Sequence, residues 1–379
     1  MYNLMSEEQQ ELTSMIRKML EKELKPIVAE CDKNGEFPMQ VHDSLGDMGL
    51  HGLAIPEEYG GLGFDYETQY LIEEEIAKID AGFAFTYCVG KATAGVTLQY
   101  GSEELKRKIC DFLVNGGIGA SCLTEPGAGS DLANIRTTAV KDGNDYILNG
   151  TKCFISNAPF AGMFQVLAIT DKTKGSKGFS LFMIEKERGM QIGKVEDKMG
   201  LRLSPTSDVI LEDVRVPAQN MIGEEGKGYK LALAQVGKAR LMTSGAAVGL
   251  AQSALDYAVD YANNRVQFGA PIANNQGVSF KLADMEIAIQ ASRQLALYAC
   301  RQHKANKDFV LTASCTKALA ADTAMKAATE AVQILGGYGY SKEYPVEKLM
   351  RDAKIFQIFE GTNEIQRLII GNTLTRAKR

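Results

Sequence analysis

The sequence is short of histidine, of paired cysteines and of long apolar runs, and each shortage excludes a class of function. It has three histidines and no H-E-x-x-H motif, so zinc hydrolysis and a Ser-His-Asp triad have little material to work with. The seven cysteines contain no C-x-x-C pair, which is typical of reduced thiols in a cytoplasmic protein. No window approaches about 18 uninterrupted apolar residues, and the first residues do not read as a secretory signal, so we expect neither a membrane span nor secretion.

The charge and the apolar content are those of an ordinary globular protein. The net charge is -5, with 45% hydrophobic and 23% charged residues in a chain of 379. No excess of positive charge points to nucleic acid or to an anionic membrane surface, and neither is an expected partner. We expect no metal site, because no metal motif is present. The chemistry must therefore come from carboxylates or from a bound cofactor.

The periodicity of the apolar residues divides the chain into three regions. Residues 1–117 repeat apolar positions every three or four residues, which predicts a helical domain, and Ser6 with Gln9 fits a capping box at its start. Residues 118–225 contain short runs at 145–148, 164–169 and 179–184, with turn sequences at 141–144 and 149–150, which predicts an antiparallel β-barrel or sandwich. Residues 226–379 are helical and rich in alanine, which suits a helix bundle. The expected fold class is α+β, mainly α.

A glycine-rich stretch at residues 122–131 is the first motif with chemical content. Its glycines let the backbone approach a bound group, and free N–H groups beside Thr124 and Ser130 suit an electron-rich ring or a phosphate. Leu132 stands where a dinucleotide-binding fingerprint needs its third glycine, and no parallel-sheet pattern surrounds the stretch. A glycine-rich surface turn explains these residues equally well.

Two further motifs lie in the C-terminal region. Gly336, Gly337 and Gly339 follow an alanine-rich helix, and a simple C-terminal stop is the favoured interpretation of them taken alone. Glu360 follows an apolar run and precedes Gly361. A carboxylate in that setting is a candidate for burial with a raised pKa, as a general base for a weak carbon acid requires. The alternative is an acidic residue at a helix N-terminus, favoured by the dipole and without chemistry.

Together these motifs resemble the acyl-CoA dehydrogenase family over essentially the full length of the chain. Residues 124–131 match its Thr-Glu-Pro-Gly-x-Gly-Ser-Asp motif, and residues 333–352 match its second pattern throughout. Matches at 56–63, 152–157, 265–269 and 360–362 follow in order and spacing. The resemblance is to short-chain, butyryl-CoA dehydrogenase-like members, including enoyl-CoA reductases that work with electron-transferring flavoprotein.

The resemblance implies an FAD enzyme with a helical N-terminal domain (1–117), a central β domain (118–225) and a C-terminal four-helix bundle (226–379), usually in a homotetramer. Glu360 is the implied catalytic base. The residues implied to bind FAD are Cys122, Leu123, Thr124, Gly129, Ser130, Phe154, Ile155, Ser156, Arg265, Phe268, Gln276, Gln333, Ile334, Leu335, Gly336, Gly337, Thr362, Asn363 and Glu364. Of these, the residues at 265, 268, 276 and 333–337 are implied to reach the FAD of a neighbouring subunit. Those implied to bind the acyl-CoA substrate are Ser130, Arg240 and Gly361.

The same resemblance implies the reaction. Glu360 takes the α-proton of the thioester while the β-hydride passes to flavin N5, and electrons are exchanged with electron-transferring flavoprotein. A backbone N–H at position 360 and a hydroxyl of FAD polarise the thioester carbonyl. Some members carry the base beside Arg240 on an earlier helix, but that position is Ala239 here and cannot serve.

Other functions remain open at this point. The same site run in reverse is an enoyl-CoA reductase, and the small residues at 93–95, where relatives line the acyl pocket, hint at room for an aryl-acryloyl group. A flavin monooxygenase or nitroalkane oxidase ranks lower, because those relatives do not keep this glutamate. A cofactor-free helical binding protein is the alternative from a different class, and a flavin absorbance spectrum separates it from the rest.

Overall fold

The computed structural model describes residues 5–376, and six α-helices precede its sheet. They are α1 (Glu7–Glu23), α2 (Val28–Asn34), α3 (Met39–Asp47), α4 (Tyr66–Ile79), α5 (Ala81–Tyr100) and α6 (Glu103–Val114). The predicted capping box is confirmed at α1, where the Ser6 hydroxyl accepts from Gln9 N and the Gln9 side chain accepts from Ser6 N. Asp65 and Asp80 cap α4 and α5 in the same position, and each satisfies a backbone N–H that the helix leaves free.

One mixed sheet fills the middle of the chain. Its strands are β1 (Gly119–Cys122), β2 (Thr138–Asp142), β3 (Asp145–Ser156), β4 (Met163–Ile169), β5 (Phe179–Glu185), β6 (Gln191–Val195), β7 (Thr206–Pro217) and β8 (Met221–Ile222). The strand order is β6-β7-β3-β2-β4-β5-β8, and β1 pairs with β4 outside that order. β1 and β2 run parallel to β4, while the other pairings are antiparallel. Within residues 5–376 the end strands β6 and β8 do not pair, so the predicted central β unit is an open sheet rather than a closed barrel.

The two turn predictions in this sheet have different outcomes. The turn at 141–144 is confirmed, since β2 and β3 meet there and Gly143 has a φ of 62°. The turn at 149–150 is wrong, because both residues lie inside β3, where the register with β7 shifts. A Cβ on Gly150 would lie 2.3 Å from the Thr137 hydroxyl, so this glycine serves a close approach between neighbouring segments instead of a turn.

Five helices follow within residues 226–376. They are α7 (Gly228–Asn264), α8 (Gln276–Lys304), α9 (Val310–Leu335), α10 (Val346–Phe356) and α11 (Asn363–Arg376), and a short hairpin of β9 (Val266–Gln267) and β10 (Ala270–Pro271) joins α7 to α8. α7 and α9 bring buried alanines together, and such small residues let helix backbones approach closely. α10 and α11 both pack against α9. No helix in the described part of the chain has the length and apolar composition that crossing a membrane requires.

Buried polar contacts fix α5 to the rest of the molecule. The Asn157 side-chain amide, just after β3, donates to the carbonyl oxygen of Thr86 on α5 at 3.1 Å. At the start of α5, the Asp80 carboxylate forms a buried ion pair with Lys348 on α10, and Lys348 also pairs with Asp352. Helix α5 therefore lies where all three regions meet.

Candidate active site

Glu360 lies in the loop between α10 and α11. Its φ is 54°, in the left-handed region that side chains other than glycine rarely adopt, and Gly361 follows with a φ of 80°. Strain of this kind persists only where the surrounding structure holds it. Burial raises the pKa of the Glu360 carboxyl, and the charges of Lys317 and Arg240 counteract part of that rise. A carboxylate with a raised pKa is a stronger base than a fully solvated one.

Lys317, on α9, anchors this loop from the protein interior. Its side chain is 1% exposed, and its Nζ donates to the carbonyl oxygen of Gly361 at 2.8 Å and to Asn363 Oδ1 at 3.2 Å. Burial lowers the pKa of Lys317 to about 8, while the charge of Glu360 acts to raise it. The loop of Glu360 is therefore attached to α9 through Gly361 and through Asn363 at the start of α11.

Two of the residues at 362–364, which are predicted to contact FAD, also make hydrogen bonds within the protein. The Thr362 hydroxyl accepts from Ile365 N at 3.2 Å and so caps α11. Asn363 is buried, and its side-chain amide donates to the carbonyl oxygen of Ala318 at 3.2 Å. Glu364 is exposed. Of the three, Glu364 alone presents its side chain fully to a ligand, and the FAD contact predicted for each residue remains a prediction.

Arg240, on α7, is the second cation near Glu360. Its side chain is 7% exposed, and its Nη1 donates to the Ser314 hydroxyl at 3.2 Å. Arg240 Nε is buried and has no partner among residues 5–376. Burial lowers the pKa of Arg240, and Glu360 raises it. The guanidinium thus retains a free donor close to the carboxylate.

A cavity of about 420 Å³ lies between α4, α5 and α7. Cys88, Ala94 and Gly95 line it from α5, and Ala239 and Met242 line it from α7. The charge of Glu360 contributes, after burial and Glu73, to a raised pKa of the Cys88 thiol. At least one residue of the cavity wall, Cys88, is therefore close enough to Glu360 for its charge to act. Of the small residues at 93–95, Ala94 and Gly95 line it, whereas Thr93 is buried and is not part of the wall.

The glycine-rich loop after β1 is held by one buried carboxylate, Glu125. Lys152 Nζ donates to it at 2.8 Å, Arg136 N at 2.6 Å and Thr137 N at 3.0 Å. Those donors lower the pKa of Glu125 although burial acts against them. Lys152 also donates to the carbonyl oxygen of Leu123 at 3.3 Å. The loop is thus a fixed structure, unlike a free surface turn.

β3 bulges next to this loop and turns Phe154 outward. The register with β7 shifts between residues 152 and 155, and Phe154 has a φ of 56° with 68% of its surface exposed. Cys153 N, beside it, donates to the carbonyl oxygen of Thr124 at 3.0 Å. The bulge and the loop therefore share one edge of the sheet.

The other residues of this region that are predicted to bind FAD differ in how far they are exposed. Cys122 and Ile155 are buried in the β core, so only their backbone atoms can face a ligand. Leu123, Thr124 and Ser156 are half-buried, while Gly129 and Ser130 are exposed.

A second group of predicted residues lies at the other end of the long C-terminal helices. The Arg265 guanidinium carbon lies 5.5 Å from the centre of the Tyr338 ring, which brings the end of α7 beside the glycines after α9. Phe268 stands fully exposed at the hairpin tip. Positions 317 and 333 on α9 are roughly 24 Å apart along the helix axis. The group, well away from Glu360 in the same chain, comprises Arg265, Phe268, Gln276, Gln333, Ile334, Leu335, Gly336 and Gly337.

Three family models match consecutive parts of the chain. They are described as the N-terminal, middle and C-terminal domains of acyl-CoA dehydrogenase, and they match residues 6–117, 120–214 and 226–375. The chain belongs to the acyl-CoA dehydrogenase family.

Individual acyl-CoA dehydrogenases and solved structures are similar over nearly the whole chain. A short-chain specific acyl-CoA dehydrogenase of Megasphaera elsdenii is 44% identical over 97% of this chain and 98% of its own length. The structure of butyryl-CoA dehydrogenase from Megasphaera elsdenii has a TM-score of 0.96 at 43% identity, covering 99% of this chain and 100% of that one. A chain from a structure described as the electron transferring flavoprotein of Acidaminococcus fermentans has a TM-score of 0.96 at 41% identity, with the same coverage.

Acyl-CoA dehydrogenases use FAD, and the residues of this chain fit that group. A Cβ placed on Gly129, Gly336 or Gly337 would meet no atom within 4 Å, so the backbone at both sites is open to a ligand. Gly336 has a φ of 62° and a ψ of -134°, a conformation essentially restricted to glycine. The exposed ring of Phe154 offers an apolar face beside the first of these sites. FAD is therefore the cofactor of this enzyme.

The motifs did not reveal three charged residues in or near this candidate site: Lys317, Glu73 and Lys91. Lys317 sits within a stripe of buried alanines on α9, and Glu73 and Lys91 sit on the buried faces of α4 and α5. A charged residue at an apolar position of a helical repeat is the signal that could have found them.

Proposed function

We propose that this chain catalyses the α,β-dehydrogenation of a short-chain acyl-CoA thioester, with Glu360 as the base. The observation that carries the proposal is the carboxyl of Glu360, whose pKa burial raises, held on a strained loop. Its charge acts on Cys88, which lines a cavity of about 420 Å³. The names of the Megasphaera elsdenii relatives, short-chain specific acyl-CoA dehydrogenase and butyryl-CoA dehydrogenase, support the substrate class.

The raised pKa of Glu360 suits removal of the α-proton. That proton is weakly acidic, and each pKa unit of mismatch between acid and base costs about 1.4 kcal/mol. Burial narrows the mismatch, whereas Lys317 and Arg240 keep the carboxyl from being protonated too readily. Ala239, where some relatives carry the base, lines the cavity and has no ionisable group. Glu360 is thus the group to which we assign the proton transfer.

The thioester carbonyl needs a donor while negative charge develops on it. The backbone N–H of Glu360 has no acceptor within the described residues, so it is available for that purpose. Ser130, Arg240 and Gly361 are the residues that we assign to the CoA ester. FAD, held by the residues assigned to it, would supply a two-electron acceptor for the β-hydride, an oxidising power that no side chain of the protein has.

We further propose that FAD is shared between subunits of a homotetramer. Residues near the sheet edge, from Cys122 to Ser156, would hold the FAD of their own subunit, and the group at 265–276 and 333–337 would reach that of a neighbour. The separation of roughly 24 Å along α9 and the full exposure of Phe268 support this division. Electron-transferring flavoprotein is the proposed redox partner, supported by the likeness to the Acidaminococcus fermentans chain.

The second candidate function is enoyl-CoA reduction at the same site, with electrons entering from the flavoprotein partner. The small residues Ala94 and Gly95 in the cavity wall favour a bulky acyl group, such as an aryl-acryloyl group, over a straight chain alone. The catalytic groups are the same in both directions, so this candidate differs in substrate and in the source of electrons.

Anaerobic titration of the purified yellow protein tests both candidates. Butyryl-CoA and 3-phenylpropionyl-CoA are added separately, and the visible absorbance of the oxidised flavin is followed. Bleaching by butyryl-CoA supports the first candidate, and preferential bleaching by the phenyl compound supports the second. A protein that stays colourless after reconstitution with FAD, or a flavin that neither thioester bleaches, contradicts the proposed function.

A further inference from the structure

Two oppositely charged side chains line the cavity without forming an ion pair. Glu73 on α4 is 3% exposed, and Lys91 on α5 is 9% exposed. Their charges influence each other, yet the Lys91 nitrogen and the Glu73 oxygens are more than 4.0 Å apart. Glu73 Oε1 is buried and has no hydrogen-bond partner among residues 5–376. Both groups therefore keep unused hydrogen-bonding capacity at the cavity wall.

Five other buried carboxylates in the described chain form ion pairs. The pairs are Glu74 with Arg293, Glu125 with Lys152, Glu75 with Arg17 and Lys78, and Asp80 and Asp352 with Lys348. Burying an ionisable group without a partner is expensive. The contrast with these pairs suggests that Glu73 and Lys91 are completed by something that enters the cavity.

The contacts that Lys91 does make leave its ammonium free to bind. Its Nζ lies 3.6 Å from the centre of the Tyr87 ring, a cation–π contact that holds the charge without using its donors. The Tyr87 hydroxyl already donates to the carbonyl oxygen of Leu50 at 2.6 Å. Burial lowers the pKa of Lys91 to about 7 and raises the pKa of Glu73. A protonated Glu73 is a donor like the ammonium, so the two groups together suit an anionic oxygen ligand.

Lys91 and Glu73 lie where the far end of a bound acyl chain would reach. Cys88 lies in the field of Glu360, and Lys91 follows Cys88 by three positions on α5, which puts both on one face of the helix about one turn apart. A thioester whose α-carbon lies at Glu360 would pass Cys88 before it reaches Lys91. Both residues line the cavity.

We propose that Lys91 and Glu73 form a subsite for the terminal carboxylate of an ω-carboxyacyl-CoA. The inference rests on the proposed function, since it names a substrate class for the same site. A carboxylate there gives Lys91 the anionic partner that it lacks and accepts the proton of Glu73 in a hydrogen bond. A methyl-ended chain of equal length would leave both groups unsatisfied.

The test compares acyl-CoA substrates of equal chain length that differ only in the terminal group of the acyl chain. Anaerobic flavin reduction is measured with adipoyl-CoA and hexanoyl-CoA, and again with pimeloyl-CoA and heptanoyl-CoA, so that two lengths are covered. The wild-type holoenzyme should show the higher kcat/KM for the carboxylate at one length or both. Lys91→Met should lower kcat/KM for the carboxylate, relative to kcat/KM for the methyl-ended chain, by roughly 10- to 100-fold, the value of one charge-assisted hydrogen bond. Lys18→Met, an exposed substitution on α1, is the matched control.

The possible outcomes separate the two proposals. A wild-type enzyme that prefers the methyl-ended chain at both lengths overturns the subsite and leaves the dehydrogenase standing. Equal losses with both chains in Lys91→Met also overturn the subsite. If Lys91→Met does not fold, the wild-type comparison and the Glu73→Gln variant decide instead. Equal losses of kcat/KM with both acyl chains in Glu73→Gln would again overturn the subsite. Flavin that none of the four thioesters reduces contradicts the proposed function and the subsite together.

Discussion

Lys317 Nζ donates a hydrogen bond to the backbone carbonyl oxygen of Gly361 over 2.8 Å. The lysine comes from the interior of α9, and the glycine follows the proposed base directly. The ammonium therefore fixes the loop on which Glu360 stands and also adds a positive charge near its carboxylate. Two effects of one residue, on position and on pKa, lead to the first prediction.

Lys317→Met removes both effects while keeping most of the side-chain volume. Because the charge of Lys317 lowers the pKa of Glu360, its loss raises that pKa further, and the acidic limb of the pH–rate profile should move to higher pH. Misplacement of the loop should lower the rate of flavin reduction by up to about 100-fold. Stopped-flow flavin reduction as a function of pH measures both.

Lys326→Met, at an exposed position on the same helix, is the control and should behave as wild type. A Lys317→Met enzyme whose rate falls without any movement of the acidic limb would show that the lysine does not set the pKa of the base.

Lys348→Met should destabilise the protein strongly. Lys348 is the common partner of the buried carboxylates Asp80 and Asp352, and its loss leaves both carboxylates unpaired. Breaking a buried pair in this way costs about 3–5 kcal/mol. Urea denaturation followed by circular dichroism gives the change in the free energy of unfolding. Lys354→Met, on the exposed face of the same helix, should stay within about 0.5 kcal/mol of wild type, and equal curves for both variants would contradict the prediction.

Phe268→Ser should weaken assembly and FAD retention together. The side chain is fully exposed in the single chain, so its removal costs that chain no buried surface. If Phe268 is buried against a neighbouring subunit, each contact loses about 1.5–3 kcal/mol. Light scattering with gel filtration gives the assembly state, and the visible flavin absorbance in the same run gives the flavin content. Val140→Ser, which is 63% exposed on the sheet, provides the comparison. Unchanged assembly and flavin content in Phe268→Ser would show that the hairpin tip makes no contact between subunits.

The order of helices and strands could be predicted because it depends on local pattern. The capping box of Ser6 and Gln9 and the strands at 145–148, 164–169 and 179–184 follow from side-chain chemistry and from period. Local pattern gave a wrong prediction at Asn149-Gly150. A turn was expected there, but the glycine is needed because Thr137 of a neighbouring segment leaves no room for a side chain. Nor could it reveal the parallel pairing of β1 with β4, since that pairing depends on how distant segments fold together.

The candidate site was predicted in its parts, whereas its electrostatics could not be. Glu360 and the glycine-rich loop carry motifs that are recognisable in the sequence. Lys317 and Lys91 carry none, because a single lysine in a helix is ordinary until the structure shows it buried. Their significance depends on which carboxylates lie nearby and which do not, and only the tertiary structure gives that information.

The most direct test of the account is anaerobic flavin reduction by butyryl-CoA in Glu360→Gln. The glutamine preserves shape but cannot accept the α-proton, so the variant should bind FAD as wild type does and reduce it roughly 10²–10⁴-fold more slowly. Glu187→Gln, exposed in the turn after β5, should reduce flavin at the wild-type rate. A Glu360→Gln enzyme that bleaches its flavin at nearly the wild-type rate would contradict the assignment of Glu360 as the base.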